Sequence, residues 1–483
     1  MVLTLDVGTS SVRAMLHDVR AREVPGAEAR VEYRPRVAAD GTAEMDAARL
    51  IRICTTAIGG VARMLRRNDE VLAVGFSSFW HGLLGLDRRG RPSLPLILWS
   101  DTRGWREARR LGDELDGEAV RHRTGAPLHP SYWPAKLAWV RRTMPQAWRD
   151  TARWVSFADL LYEELLGEAG TSVSMASGTG LRRLADGAWD AELLAALDLD
   201  PRRLPGTAEE ASGLRPAYAG HWRALARVPW LTARGDGALA NLGSDCVDES
   251  RRALTVGTSA ALRVTTARRP ERLAPGLWCY LIDAGRYLVG GSFSNGGNLH
   301  EWLLRTLRVD DRRLQRHLRR LPLASEDVAF LPLLSGERSP GFAPHAYGAV
   351  ARITQATSAE DIARAGLEAV AMRIALVDAA LDETAPGAER LLASGGALGG
   401  SPAWCQVMAD AIGKPLSTLG VDEASSRGAA LIALARAEAP SPRKIAVKRT
   451  FRPRPDAHAA HRRAYGRVET LYSTLIAGRL LDG

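Results

Sequence analysis

Residues 3–16 read LTLDVGTSSVRAML, and residues 253–264 read ALTVGTSAALRV. In the first stretch, residues 2–7 alternate apolar and polar, break at Gly8-Thr9-Ser10-Ser11, and resume apolar character from Val12 to Leu16. A period of two interrupted by a Gly/Ser break predicts a hairpin: strand, tight turn, strand. The second stretch repeats the phrase, with Gly257-Thr258-Ser259 standing where Gly8-Thr9-Ser10 stands. The spacing between the copies far exceeds the roughly 20–50 residues of a solenoid repeat. Each copy opens a new α/β half, so the reading is a duplication: two halves facing each other across a cleft.

The segments around them fit. Glu70 to Phe76, Ile97 to Trp99, Arg286 to Gly290 and Leu391 to Ala393 are short apolar runs that end in polar or glycine-rich loops. Helical periodicity marks Ala359 to Leu381 and Pro402 to Ile412. Strands ending in such loops and followed by helices predict open α/β sheets with ligands at the strand carboxyl ends. The boundary between halves falls near residues 245–253. The chain accordingly divides into 1–248, 249–438 and a basic tail or helix at 439–483, its densest basic part running from Arg443 to Arg463.

Composition narrows the function. The 483 residues are 46% hydrophobic and 25% charged, ordinary for a globular chain. No apolar run approaches the ~18 residues that span a bilayer, and Met1 leads straight into a strand without an export signal. Cys54, Cys246, Cys279 and Cys405 form no CxxC pair, so neither a zinc site nor a disulfide framework is expected, and a cytoplasmic location is. The net charge is +10, but the arginines lie dispersed among acids, as in Arg106-Glu107-Ala108-Arg109-Arg110, and no nucleic-acid-reading motif is present. Lysine occurs only at 136, 414, 444 and 448, and no GxxxxGK[ST] exists, so a nucleotide must bind by something other than a P-loop.

Several clusters can carry chemistry. The backbone amides of the Gly8-Thr9-Ser10 turn can cradle phosphate oxygens, and Asp6 just before it can hold a hydrated Mg2+; an ordinary hairpin turn is the alternative. Gly257-Thr258-Ser259 keeps the turn and replaces the carboxylate with Thr255. Asp236 lies between Gly235 and Gly237 at the start of a small-residue helix. It reads either as a helix cap or as the carboxylate that takes the proton of an attacking hydroxyl in phosphoryl transfer, the glycines letting a ligand come close to the backbone. Ser77 to Gly82, with Trp80 and His81, offers hydroxyls, an aromatic ring and an imidazole to a polyol. The glycine cluster from Gly395 to Gly400, followed by Ser401, suits a backbone lying flat against a purine or phosphates.

Taken together and in order, these landmarks resemble the FGGY family of carbohydrate kinases, of the actin-like ATPase superfamily, from Asp6 to about Ala435. The resemblance implies two actin-like (ribonuclease H-like) domains across a catalytic cleft, with ATP and Mg2+ as cofactors. It implies Asp236 as catalytic base, Asp6, Gly8, Thr9, Ser10, Gly257, Thr258 and Ser259 at the phosphates and metal, Gly395, Gly396 and Ser401 at adenosine, and Trp80, His81, Gly82 and Asp236 at the sugar. Within the family, Ser77–Gly82, Trp99–Arg103, His129–Tyr132 with Lys136, and Leu334–Pro340 look most like gluconate kinases, with xylulose kinases next. Trp80 and the Gly341-Phe342-Ala343-Pro344 stretch depart from that pattern. Arg103, Lys136 and Arg338 are candidate donors to a substrate carboxylate. A catalytically silent actin-like regulator is the opposing reading, and the presence of both Asp6 and Asp236 favours the enzyme. The partners implied are a small sugar or sugar acid and ATP, with no nucleic acid, no membrane, and room for a homodimer.

Overall fold

The computed structural model describes residues 1–66, 68–168, 170–320, 326–440 and 444–478. Two seven-stranded mixed sheets organise it. In the first, Val2–Val7 pairs antiparallel with Ser11–His17, which pairs antiparallel with Glu23–Glu32, while Val74–Ser78 lies parallel on the other side of Val2–Val7. In the second, Arg251–Val256 pairs antiparallel with Ala260–Thr266, which pairs antiparallel with Arg286–Phe293, while Arg390–Ser394 lies parallel on the other side. The same four-strand order is thus built twice around the two copies of the Gly-Thr-Ser phrase. Each hairpin closes on its glycine amide, the second turn one residue shorter: Gly8 N–H donates to Ser11 O at 3.0 Å, and Gly257 N–H donates to Ser259 O at 2.9 Å.

Every residue of Val2–Val7 is buried, including Thr4 and Asp6, because the sheet is covered on both faces. The helices Ala47–Ala62 and Ala424–Arg436 supply that cover, the latter reaching across from the second half. A third core, with Leu83, Leu111, Trp133, Leu137, Trp154 and Leu193 buried, belongs to a helical region inserted in the first half. The helix Ala359–Thr384 backs the second sheet and starts at a capping box, in which Ser358 and Asp361 satisfy each other's backbone amides. No helix among the described residues is long and apolar enough to cross a membrane.

Two expectations shift. Arg286–Phe293 does not end at Gly290-Gly291-Ser292 but runs through it. Those glycines sit where side chains would strike neighbours: a Cβ on Gly290 would lie 2.8 Å from Arg263 Cγ, and one on Gly291 would lie 2.7 Å from Val377 Cγ1. Of the basic stretch read as tail or helix, Arg443 lies outside the described residues. Val447–Phe451 pairs with Leu416–Leu419 at the edge of the second sheet, and the helix Pro455–Tyr472 buries Ala457, Ala460, Ala464 and Val468 on the second half.

Where the helix Asp236–Gly243 meets the helix Ala424–Arg436, the two halves touch backbone to backbone. A Cβ on Gly243, at the end of the helix Asp236–Gly243, would overlap the carbonyl of Ala424, and one on Gly428 would overlap that of Leu239. Glycine at both positions lets the helix Asp236–Gly243 and the helix Ala424–Arg436 lie in contact. A methyl group here meets main chain that cannot rotate away. Gly243→Ala is therefore expected to lower stability by about 3 kcal/mol, the upper end of the overpacking range. Urea unfolding followed by circular dichroism checks this, with an unchanged midpoint counting against the close packing.

Candidate functional site

The carboxyl end of Val2–Val7, both hairpin turns and the start of the helix Asp236–Gly243 converge on one place. A cavity of about 220 Å³ is lined there by Thr9, Trp80, His81, Asp236, Ser259, Arg263, Tyr280 and Arg338, among others. Beside it lies a cavity of about 340 Å³ that takes in Thr9, Ser10, Thr258 and Ser259, the tips of both turns, together with Glu337 and Arg338. The carbonyls of the turns are held from behind. Tyr33 N–H donates to Ser10 O at 2.9 Å and its hydroxyl to Gly8 O. In the second turn, Gly297 N–H donates to Gly257 O at 2.7 Å and Asn298 N–H to Thr258 O at 3.0 Å.

Asp6 is 7% exposed, and burial raises its carboxyl above the usual range, with Ser77 and Arg13 pulling the other way. Its Oδ1 has no hydrogen-bond partner among the described residues. Such an atom is costly to bury unless a cation or donor arrives, so the residue fits a hydrated cation. No group of three or more His, Cys, Asp or Glu that could hold a metal occurs among the described residues.

Asp236 is not the helix cap. Gly235 occupies that position, and Asp236 is the first helical residue, its Oδ1 accepting from Gly237 N–H at 2.7 Å. Burial, and next the negative charge of Asp6, push its carboxyl up to about 6, against the Gly237 amide, Arg263 and Arg338. What its flanking glycines admit is a side chain of the protein. A Cβ on Gly235 or Gly178 would overlap the Trp80 indole, and one on Gly237 would come 3.0 Å from it. Trp80 Nε1 donates to Ser174 O at 3.1 Å, and its ring lies edge-on to Tyr280 with centroids 5.0 Å apart. Trp80 is thereby fixed as a wall of the cavity beside Asp236.

His81 is buried, and its Nδ1 is bonded to Gly178 O at 2.5 Å. A carbonyl only accepts, so Nδ1 carries the proton and Nε2 the lone pair. Burial, then Arg338, hold this imidazole neutral well below its ordinary range. Gly82 sits behind the cavity: its carbonyl accepts from Trp133 Nε1 at 3.1 Å, and a Cβ would lie 2.8 Å from the Phe79 ring.

The glycine cluster abuts the second hairpin. Gly395 has φ +101°, and a Cβ there would lie 2.9 Å from Val256 N. Gly396 opens the short helix Gly396–Gly399 and has open space where a Cβ would stand. Ser401 is 2% exposed; it caps the helix Pro402–Ile412 by accepting from Trp404 N–H and donates to Gln315 Oε1 at 2.8 Å.

Of the three candidate carboxylate donors, Arg338 lines the cavity. Arg103 is paired with Asp101 and Glu44, and Lys136 is buried with Nζ 2.5 Å from the His81 carbonyl oxygen it donates to. One residue escaped the sequence reading: Arg263, whose Nε donates to Asn241 Oδ1 at 3.2 Å and Nη2 to Thr255 Oγ1 at 2.7 Å. Burial lowers its guanidinium to about 10. Thr255 is the counterpart of Asp6 in the repeat, so the second hairpin presents a cation where the first presents an anion. The available signal was a lone arginine inside an apolar strand.

The first 243 residues match the N-terminal domain of the FGGY family of carbohydrate kinases, and residues 253–437 match its C-terminal domain. The chain is 28% identical over 457 residues to a gluconokinase of Bacillus subtilis (strain 168), covering 90% of this chain and 87% of that one. It is 31% identical over 436 residues to a xylulose kinase of Streptomyces coelicolor, covering 89% and 86%. Its fold is that of the gluconate kinase from Lactobacillus acidophilus, with a TM-score of 0.90 over 99% of this chain and 98% of that one at 24% identity. That is the actin-like fold, in which two α/β domains face one cleft. The catalytic cleft, the doubled hairpin and both matching domains make this chain a phosphotransferase that acts on a sugar hydroxyl with ATP as donor, and it belongs to the FGGY family of carbohydrate kinases.

Proposed function

We propose that the enzyme phosphorylates the terminal hydroxyl of an open-chain sugar acid, D-gluconate foremost, giving 6-phosphogluconate and ADP. The observation that carries this is Arg338, which stands in one cavity with Asp236. Asp236 takes the hydroxyl proton while the hydroxyl oxygen bonds to the γ-phosphorus and the bond from that phosphorus to the bridging oxygen of ADP breaks. His81 accepts from a substrate hydroxyl through Nε2, and Trp80 confines the carbon chain. The amides of the two turns bind phosphate oxygens, and Gly395 and Gly396 lie against the adenosine, while Ser401 holds the helix behind them. Asp6 holds a hydrated Mg2+, which neutralises phosphate charge when bound. Arg263 and the turn amides offset the negative charge that accumulates on the transferring group. The likeness at 31% identity to a xylulose kinase makes D-xylulose the second reading.

A charge-assisted bond from Arg338 to the acceptor carboxylate is the discriminating contact. Arg338→Met is expected to raise KM for D-gluconate by about 10–100-fold, the value of a hydrogen bond to a charged group. KM for ATP should stay within about twofold and any turnover of neutral D-xylulose should be spared. Equal losses on the acid and on the neutral ketose contradict the assignment.

A further inference from the structure

The matching C-terminal domain ends at residue 437, yet the helix Pro455–Tyr472 reaches back to the wall of the acceptor cavity. Its last residue, Tyr472, donates from Oη to Glu337 Oε2 at 2.5 Å. The other oxygen of Glu337 is ion-paired with Arg373, on the helix Ala359–Thr384, and the Arg373 guanidinium lies over the Tyr472 ring at 5.1 Å from its centroid. Tyr472 therefore touches both members of an ion pair in which Glu337 is 2% exposed. A Cβ on Gly341 would overlap the Tyr472 hydroxyl, so the glycine in the stretch that departs from the gluconate kinase pattern is what admits this contact.

Glu337 is one peptide bond from Arg338. Glu337 N–H donates to Ala343 O at 2.9 Å, and Phe342 N–H donates to Arg338 O at 2.5 Å. These bonds close residues 337–343 into an arch. Glu337 is bonded to Arg373 and Tyr472 and reaches the cavity at the turn tips. On the arch's cavity side stands Arg338, stacked over the Trp99 ring at 5.2 Å from the centroid.

We infer that Tyr472 is a positioning residue for the sugar acceptor: its hydroxyl fixes Glu337, and the arch transmits that fixation to Arg338 in the cavity. This rests on the reading of Arg338 as the acceptor's anchor. A buried carboxylate needs donors at both oxygens. Without the phenol, Glu337 keeps Arg373 on one side only and can turn within its site; because Ser339 N–H donates to Ser292 O at 2.8 Å and pins the arch beyond it, the turn falls on the peptide between Glu337 and Arg338. The hairpin turns and Asp6 stand on other elements, and although Glu337 and Arg338 also line the cavity at the turn tips, KM for ATP moves less than KM for the acceptor.

Tyr472→Phe keeps the ring beneath Arg373 and removes the hydroxyl alone. Kinetics are read on D-gluconate, the acceptor whose carboxylate Arg338 anchors. KM for that acceptor should rise roughly three- to tenfold, the factor one hydrogen bond carries, with kcat and KM for ATP within about twofold. In an Arg338→Met background the same substitution should add nothing, because the group it positions is gone. An unchanged acceptor KM, a parallel rise in KM for ATP, or full additivity with Arg338→Met overturns the inference. Should Tyr472→Phe fail to fold, Gly341→Ala, whose Cβ would overlap the Tyr472 hydroxyl, displaces the same bond while keeping the Glu337–Arg373 pair and carries the same prediction and the same refutations. Inactivity of the unaltered enzyme towards D-gluconate refutes the acid acceptor and with it this inference, whereas an unchanged D-gluconate KM in Tyr472→Phe refutes the inference alone.

Discussion

Asp236→Asn lowers kcat by about 10²–10⁴-fold, the usual contribution of a positioned general base, while ATP affinity stays as it is. The amide keeps the size of the carboxylate and can still accept from Gly237 N–H. It cannot take up the hydroxyl proton. Steady-state kinetics with ATP binding measured separately check this, and an Asn variant turning over near the unaltered rate removes Asp236 from the chemistry. The pH profile carries the same assignment. Burial and Asp6 raise the Asp236 carboxyl to about 6, and a base works only when deprotonated. Activity is therefore full above about pH 7 and falls tenfold per unit below about pH 6, as the competent fraction declines. A profile flat down to pH 5 contradicts both the shift and the role.

Asp6→Ala lowers kcat by about 10²–10³-fold, the scale on which one preorganised electrostatic contact acts in a closed site. The buried Oδ1 that lacks a partner in the free protein is the motive for that size. Without the carboxylate, this chain would no longer offer Asp6 to a bound Mg2+, so the Mg2+ concentration for half-maximal rate rises. Acceptor KM moves by less than about threefold, because Trp80, His81 and Arg338 line the cavity independently of it. Titration of the rate with Mg2+ at saturating ATP separates the outcomes. Loss of acceptor affinity with unchanged Mg2+ dependence assigns Asp6 to the sugar instead.

The hairpins and their doubling were legible because they are local: a period of two, a Gly-Thr-Ser turn and a second copy need no knowledge of the rest of the chain. The placement of Asp6 and Asp236 was legible for the same reason, since one stands near a strand end and the other at a helix start. What glycine neighbours mean was not local. Gly235 and Gly237 read as room for a ligand, yet the group that fills that room is Trp80, brought from another strand end. Ser401 read as an adenosine contact, and its hydroxyl is engaged by Gln315 and by the helix it caps. Arg263 stayed hidden because its partners, Asn241 and Thr255, assemble only when the second hairpin packs on the helix Asp236–Gly243. Tyr472 is remote in sequence from the loop it holds, and nothing in its own neighbourhood announces that contact.

The most direct test of the account is a coupled ADP-release assay with ATP and Mg2+ across D-gluconate, D-xylulose, D-ribulose, glycerol and erythritol, run on the unaltered enzyme and on Asp236→Asn. The account predicts ADP release that depends on D-gluconate, exceeds that with any neutral acceptor, and disappears in Asp236→Asn. Robust turnover of D-xylulose with none of D-gluconate contradicts the acceptor, and acceptor-dependent turnover that survives in Asp236→Asn contradicts the chemistry.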